Sequence, residues 1–202
     1  MLREWRQAFG LGERAVGAPK EGGAALVEMA ILLPILILLV VGVFELGGAF
    51  KSYLTTSNAV REGTRILSAR GTDPTSDCVA LVKAVEALTL ANDLDRLKEV
   101  QIFQANPNTG ERIEATVNRY WDPSGDPTFC TPTPPNCGSW ECEIGKEPSS
   151  RNAFVGAGVS PDLIGMRIIY NHDWYSGLPP FRGRIVIDEQ TISRLEPEGF
   201  PP

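Results

Sequence analysis

Hydrophobic and polar residues are unevenly distributed along the chain, and the longest apolar stretch lies near its start. Sixteen consecutive residues, 29–44, carry no charge, and the apolar stretch as a whole extends over residues 24–50 with Glu28 and Glu45 inside it. A helix of about 20 residues crosses the roughly 30 Å hydrocarbon core of a bilayer. The pattern therefore predicts a membrane-spanning helix over residues 24–50.

The helical pattern continues past the predicted span. Apolar residues recur at helix-compatible spacing from Phe50 to Leu67, and the first firm stop signals are Gly71 and Pro74. We therefore expect one long helix whose second part, residues 51–71, projects from the bilayer. A buried core helix is disfavoured because a small domain does not cover such a helix on all sides. A cleaved secretory signal is disfavoured because no A-x-A site follows the apolar run.

Three residues inside the apolar stretch are unusual for a membrane helix. Pro34 lacks a backbone N–H and predicts a mild kink, which membrane helices tolerate. Glu28 and Glu45 are ionisable, and such residues are costly in a bilayer and often functional. Glu45 lies near one end of the stretch, where its carboxylate can reach the headgroup layer. Glu28 is the stronger functional candidate.

The remainder of the chain has the pattern of one small α+β domain. A second helix is predicted over Cys78–Lys98, where apolar residues recur among charges and turn residues precede the start. An antiparallel sheet of about four strands is predicted from four further segments: Val100–Gln104, Arg112–Trp121, Gly165–Trp174 and Gly183–Ile192. The first two are expected to form a hairpin.

Residues 122–161 form a long segment that is rich in proline and poor in signals for regular structure. It contains Cys130, Cys137 and Cys142, whereas Cys78 lies in the predicted second helix. Four cysteines allow three pairings, which the sequence does not distinguish. We favour a disulfide from Cys130 or Cys137 to Cys142, with Cys78 tying the helix to the loop. A zinc site is the alternative, although the C-x6-C-x4-C spacing differs from the usual C-x2-C pairs.

Charge and residue counts narrow the classes of function. The net charge of -6 argues against a nucleic-acid partner, and the single histidine argues against a histidine-based metal site or triad. No nucleotide-binding G-x-x-x-x-G-K-[ST] motif is present, and His172-Asp173 lacks an accompanying serine motif. We therefore expect no catalytic residue, no metal and no cofactor. Four aromatic residues either pack in the core or form an exposed contact surface: Trp140, Trp174, Tyr175 and Phe181.

The N-terminal third of the chain resembles a known family. A polar leader is followed by GGAALVEMAILLPILILLVVGVFELGGAF and LTTSNAVREGTRILSARG, and the C-terminal part contains RIIYNHDWYSGLPPF and ISRLEP. With these motifs the chain resembles the TadE-family pilin-like proteins (pseudopilins) of the tight-adherence (Flp) type IV pilus system. Met29 departs from the aromatic residue that main Flp pilins commonly have after the glutamate.

The resemblance implies a processing site and a domain order. Residues 1–23 would be a cytoplasmic leader, which a prepilin peptidase removes by cutting between Gly23 and Ala24. Residues 24–50 would then form the transmembrane helix, 51–71 its extension, and 72–202 the extracytoplasmic domain. The new amino group of Ala24 and the carboxylate of Glu28 would lie about one helical turn apart, where they attract each other strongly in low dielectric. Glu28, Pro34 and Glu45 are the expected assembly and packing residues.

The resemblance also implies a structural function. The chain would be a minor pilin or pseudopilin in the bacterial cytoplasmic membrane, single-pass, with its C-terminal domain outside or at the cell surface. Its partners would be the prepilin peptidase, other minor pilins, the main Flp pilin, the membrane assembly platform and the lipid bilayer. The alternative is a binding module on a signal anchor that stays uncut. An extracytoplasmic enzyme is the least favoured class.

Overall fold

The computed structural model describes residues 22–89, 96–121, 141–155 and 160–197. The chain divides into two compact units, Met1–Gly42 and Val43–Pro202, and each is described by itself. The described residues contain two helices, five strands and two short 3-10 turns, Glu114–Thr116 and Pro148–Ser150. The helices are α1 (Gly22–Arg70) and α2 (Ser76–Thr89), and the strands are β1 (Leu97–Ala105), β2 (Asn118–Trp121), β3 (Glu141–Glu143), β4 (Leu163–Asp173) and β5 (Arg184–Arg194).

In the first unit, the described residues form the N-terminal part of α1. Every side chain described from residue 23 to residue 40 is exposed, and nearly all of them are apolar. Within the described part of the chain, α1 is the one helix that is long and apolar enough to cross a membrane. The predicted apolar helix is therefore confirmed, and its apolar surface is left uncovered by protein.

The second part of α1 packs within the second unit and ends where the sequence predicts. Arg70 is the last helical residue, and Gly71 follows with a φ of 53°. This left-handed conformation favours glycine because it has no Cβ. The Gly71 N–H donates to the carbonyl of Leu67 at 3.3 Å, which satisfies one of the free carbonyl groups at the end of the helix.

Helix α2 exists as predicted but is shorter than the predicted Cys78–Lys98. It ends at Thr89, and Leu97 and Lys98 already belong to β1. Leu97 pairs with Tyr170 of β4, a residue far away in the sequence. The prediction of the C-terminal end was wrong because this strand pairing outweighs a local apolar spacing that also fits a helix.

The sheet has five strands in the order β3-β2-β1-β4-β5, and every neighbouring pair is antiparallel. The α+β class with a long N-terminal helix is confirmed, with one strand more than the predicted four. The additional strand is β3, which lies in the segment that we expected to be irregular. It has three residues and pairs with β2, so its local pattern is too short to detect.

The predicted strand Arg112–Trp121 forms a strand only over its last four residues, in β2. Before it, the Ile113 carbonyl accepts the Thr116 hydroxyl at 2.7 Å, and this hydroxyl accepts the Gln104 N–H at 3.0 Å. These bonds stabilise the 3-10 turn instead of an extended strand. The predicted β1–β2 hairpin pairing is nevertheless confirmed, with Val100 opposite Tyr120.

The two helices cover one face of the sheet. Gly63 of α1 lies directly against β4, since a Cβ at this position would be 2.3 Å from Sδ of Met166 and 3.5 Å from Cβ of Ala84. The main core lies between these elements and includes Val60, Leu67, Leu81, Val85, Val100, Ile102, Ile164 and Ile168. Phe103, Ala105 and Val117 form a smaller buried cluster.

Candidate functional site

The residues predicted to form the processing site lie in the first turns of α1. The helix begins at Gly22, so Gly23 and Ala24 are in its first turn and Glu28 follows four residues after Ala24. Residues four apart share one face of a helix. Nothing lies within 4 Å of a Cβ built on Gly23, and the Glu28 side chain is exposed. The structure thus brings Ala24 and Glu28 to one exposed face.

Pro34 lies inside α1 and its side chain is exposed among apolar neighbours. The helix continues without interruption on both sides of it. Leu26 and Ile31 are 73% and 65% exposed. Because hydrophobic stabilisation scales with the apolar area removed from water, side chains this exposed would contribute little to the free energy of folding in water. Such a surface is suited to a partner helix or to lipid.

Glu45 does not point into open surroundings, although it directly follows the uncharged run. It is 1% exposed, and its carboxylate accepts the backbone N–H groups of Tyr175 and Ser176, the first at 2.9 Å. These two residues lie just after β4, separated from its last residue only by Trp174. Glu45 therefore connects α1 to the β4–β5 connection, a role that sequence spacing did not indicate.

The same connection packs closely against α1 at one further position. A Cβ on Gly48 would lie 2.3 Å from Cε2 of Tyr175, so the aromatic ring occupies the space that the glycine leaves free. Tyr175 itself remains exposed, whereas Trp174 and Phe181 are half-buried and their rings meet at 5.1 Å in an edge-on contact. Of the two alternatives for these aromatic residues, exposure holds for Tyr175 and partial burial for Trp174 and Phe181. Trp140 lies outside the described residues.

His172 forms a hydrogen bond that the sequence analysis missed. Its Nδ1 lies 3.0 Å from Oγ of Ser52 on α1. Both residues are buried, and a substrate has no access to either of them. Asp173 points the other way, as alternation along a strand requires, and accepts a hydrogen bond from Arg184 at 2.8 Å. The bond between Ser52 and His172 is therefore a buried contact between α1 and β4.

A buried ionic network joins α2 to the sheet. Nη1 of Arg151 lies 2.6 Å from Oδ1 of Asp77, and Nη2 donates to Oδ2 at 2.8 Å. Asn118 and Tyr120 of β2 also donate to this carboxylate, at 2.7 Å and 3.1 Å. Burial raises the pKa of the Tyr120 phenol well above its usual range, so the hydroxyl stays protonated and can donate. No local pattern in the sequence indicates this network.

The predicted cysteine pairing falls partly outside the described residues. Cys130 and Cys137 lie there, as does the predicted leader up to residue 21. Cys78 and Cys142, which are described, are not free thiols. The pairing of the four cysteines stays a prediction. Among the residues that the structure describes, no group of three or more histidine, cysteine or acidic side chains is arranged to hold a metal ion.

Comparison with known proteins supports the resemblance over the N-terminal helix. Residues 23–65 match the family model for TadE-like proteins. This part of the chain is TadE-like. The match covers most of α1 and about a fifth of the chain, and it indicates involvement in the tight-adherence pilus system. The chain matches no curated protein and no solved structure.

Together, the family match and the exposed apolar helix fit a membrane-anchored protein. Both features lie on α1: the matched residues begin at the second residue of the helix and end five residues before its last. The matched segment therefore includes the predicted membrane span as well as the part of α1 that packs on the sheet. The part of the chain that follows residue 65 lies outside the match.

Proposed function

We propose that this chain is a minor pilin, or pseudopilin, that takes part in assembling a tight-adherence pilus and acts structurally. The observation that carries the proposal is the TadE-like match over residues 23–65, which coincides with a helix whose first part has no protein cover. A helix with this surface needs lipid or neighbouring helices. A subunit that waits in the membrane and then packs into a helical fibre meets both kinds of surroundings.

Removal of the leader is the first proposed step, and the start of α1 is suited to it. The cut would fall between Gly23 and Ala24. The first helical turn lacks intrahelical partners for its N–H groups, and each glycine destabilises a helix by about 1 kcal/mol relative to alanine. Gly22 and Gly23 thus form a helix start that opens easily, which lets a prepilin peptidase reach the peptide bond.

The proposed cut would create the charge that Glu28 needs. The new α-amino group on Ala24 would lie about 6 Å along the helix axis from Glu28. In low dielectric an ammonium and a carboxylate attract each other strongly, and each is costly when alone. The pair can close within one subunit or between neighbouring subunits. Glu28 thereby helps to fix the packing register, as buried polar groups do in other helical assemblies.

The rest of the molecule supplies a platform for this helix. Ser52, Gly63 and Ser68 of α1 all contact the strands or the segment that follows them, so this part of α1 is held firmly against the sheet. The partners in this proposal are the prepilin peptidase, other minor pilins, the main Flp pilin and the membrane assembly platform. The chain would lie in the cytoplasmic membrane with its leader inside and its domain outside.

The proposal is tested by pilus output from a Glu28→Ala strain. We expect the variant protein to insert in the membrane but to reduce pili in the sheared cell-surface fraction by tenfold or more. Glu62→Ala is the matched control, because Glu62 lies on the same helix and pairs with Arg65 at the surface, where an ion pair contributes little. Normal pilus output from Glu28→Ala would contradict the assembly role and favour an uncut, anchored binding module.

A further inference from the structure

The connection between β4 and β5, residues 174–183, has an unusual surface for a loop in water. Two of its large side chains are exposed, Tyr175 at 62% and Leu178 at 51%, and Pro179 and Pro180, which follow Leu178, are exposed as well. Val186, two residues into the following strand, is 57% exposed. Contiguous exposed apolar groups of this kind mark an interaction surface. We call residues 174–183 the apolar loop.

The apolar loop is fixed to α1 and does not extend freely. The buried carboxylate of Glu45 accepts two consecutive backbone N–H groups of the loop, from Tyr175 and Ser176. The ring of Tyr175 fills the space over Gly48. Bonds from two adjacent amides to one carboxylate define both the position and the direction of the chain. The exposed side chains are therefore presented in a fixed place.

This place is at the end of the predicted membrane span. The uncharged run ends at Phe44, and Glu45 is the next residue. Other exposed apolar residues of α1 lie around the two attachment points: Phe44, Leu46 and Phe50. If the uncharged run of α1 occupies the hydrocarbon core, a loop attached at Glu45 and Gly48 would lie just beyond the end of that run, near the membrane surface.

The residue types of this region match those of a membrane–water interface. Tyrosine and tryptophan are enriched there because their rings combine an apolar body with a polar group. Two exposed basic residues adjoin the apolar side chains: Lys51 on α1 and Arg182 in the loop. Their long side chains can reach lipid phosphates while their stems stay in apolar surroundings.

We propose that the apolar loop inserts its exposed side chains into the interface of the bilayer that α1 spans, and so holds the domain against the membrane surface. The inference rests on the membrane anchoring in the proposed function and adds a second lipid contact to it. Its occupant is the headgroup and upper acyl region of phospholipids. A single helix would leave the domain free to tilt, whereas a second contact restricts its orientation before assembly.

The test places a tryptophan in the apolar loop of the full-length chain. In a background with Trp5, Trp121, Trp140 and Trp174 replaced by phenylalanine, Leu178→Trp is reconstituted into phosphatidylcholine–phosphatidylglycerol vesicles with brominated acyl chains. Ile113→Trp in the same background is the matched control. Ile113 is also an exposed apolar residue, but it adjoins the end of β1 that pairs with the start of β4. The control thus lies at the opposite end of the sheet.

We expect bromine to quench the fluorescence of Leu178→Trp at least threefold more than that of Ile113→Trp, and aqueous iodide to show the reverse order. A second protein keeps Trp174 as its only tryptophan and leaves the exposed loop side chains unchanged, so its result does not depend on tolerance of a new residue at position 178. Stronger bromine quenching than in Ile113→Trp is expected here too.

Flotation of the same vesicles separates this inference from the proposed function. Protein that floats with the lipid is anchored. If the floating Leu178→Trp and Trp174-only proteins are both no more quenched by bromine than Ile113→Trp, the interfacial contact is wrong while the anchoring and the pilin proposal stand. Conversely, the loop tryptophans could be quenched by bromine as expected while the Glu28→Ala variant still builds pili. In that case the interfacial contact stands and the pilin proposal is wrong.

Discussion

The carboxylate of Glu45 accepts the backbone N–H of Tyr175 at 2.9 Å, across 130 residues of sequence. A glutamate that follows an apolar membrane segment is usually assigned to the headgroup layer. Here it is almost completely buried, and it joins the long helix to the end of the sheet. The contact joins the part of α1 that follows the uncharged run to the connection between β4 and β5.

We predict that Glu45→Ala loosens the apolar loop. The substitution leaves the partly buried amides of Tyr175 and Ser176 without their acceptor, so that they are free to exchange with water. Hydrogen exchange at these two amides is expected to become roughly tenfold faster or more. Exchange measured by mass spectrometry on the full chain in nanodiscs checks this. Glu62→Ala is the control and is expected to leave both amides unchanged; equal exchange in Glu45→Ala and the unaltered chain would contradict the assignment.

A second prediction concerns the buried pair of Asp77 and Arg151. Removing one member of a buried, hydrogen-bonded ion pair costs about 3–5 kcal/mol, because the other charge stays buried alone. We expect a loss of this size for Arg151→Leu in urea unfolding followed by tryptophan fluorescence.

The double variant Asp77→Asn with Arg151→Leu provides the test of mechanism. Asparagine keeps a carbonyl that can accept from Asn118 or Tyr120, and it carries no charge. We therefore expect the double variant to be more stable than Arg151→Leu alone. If the loss of unfolding free energy in the double variant equals the sum of the losses in Asp77→Asn and Arg151→Leu, the charges of Asp77 and Arg151 are not coupled.

A third prediction concerns acid stability at the outer part of the sheet. Arg167 on β4 donates two hydrogen bonds to Asp188 on β5, one of them at 2.6 Å. These bonds, and then the positive charge of the guanidinium, lower the pKa of Asp188 below its usual value, while partial burial opposes the shift. A pKa that is lower in the folded state adds stability above the unfolded-state pKa, and this stability disappears as the pH falls through the folded-state pKa.

Asp188→Asn is therefore expected to destabilise the protein at pH 7 and not in strong acid. Because the carboxylate is 42% exposed, the difference should be under about 1 kcal/mol. It should be fully present above about pH 5 and should shrink below pH 4. Urea titrations at a series of pH values measure it, and Arg167→Gln should remove the same pH-dependent part. A difference that persists unchanged into strong acid would refute the pairing.

The elements with strong local patterns were predictable from the sequence. Helix α1 was predicted because its apolar run is long and Gly71 ends it, and β4 and β5 because their residue types favour strands. The positions missed depend on long-range pairing: Leu97 joins β1 through its pairing with β4, and the three residues of β3 are a strand only because β2 lies beside them.

The candidate site, too, was predictable where its residues are close in sequence and not where they are distant. Gly23, Ala24 and Glu28 lie close together along one helix, and the spacing of four between Ala24 and Glu28 places these two on one face. The surroundings of Glu45 and the bond between Ser52 and His172 join residues at least 120 positions apart, and no periodicity reports such contacts. The buried partner of Asp77 was missed for the same reason, because Arg151 lies in an irregular segment.

The central claim is that the mature subunit begins at Ala24, one helical turn before Glu28. Intact mass spectrometry of the protein purified from its host membrane tests it most directly, with the Gly23→Leu variant as a control in which the larger side chain should block the cut. We expect a mass for residues 24–202 in the unaltered protein and a mass that retains residues 1–23 in the variant. A mass that retains residues 1–23 in the unaltered protein would show that the peptide bond after Gly23 is not cut.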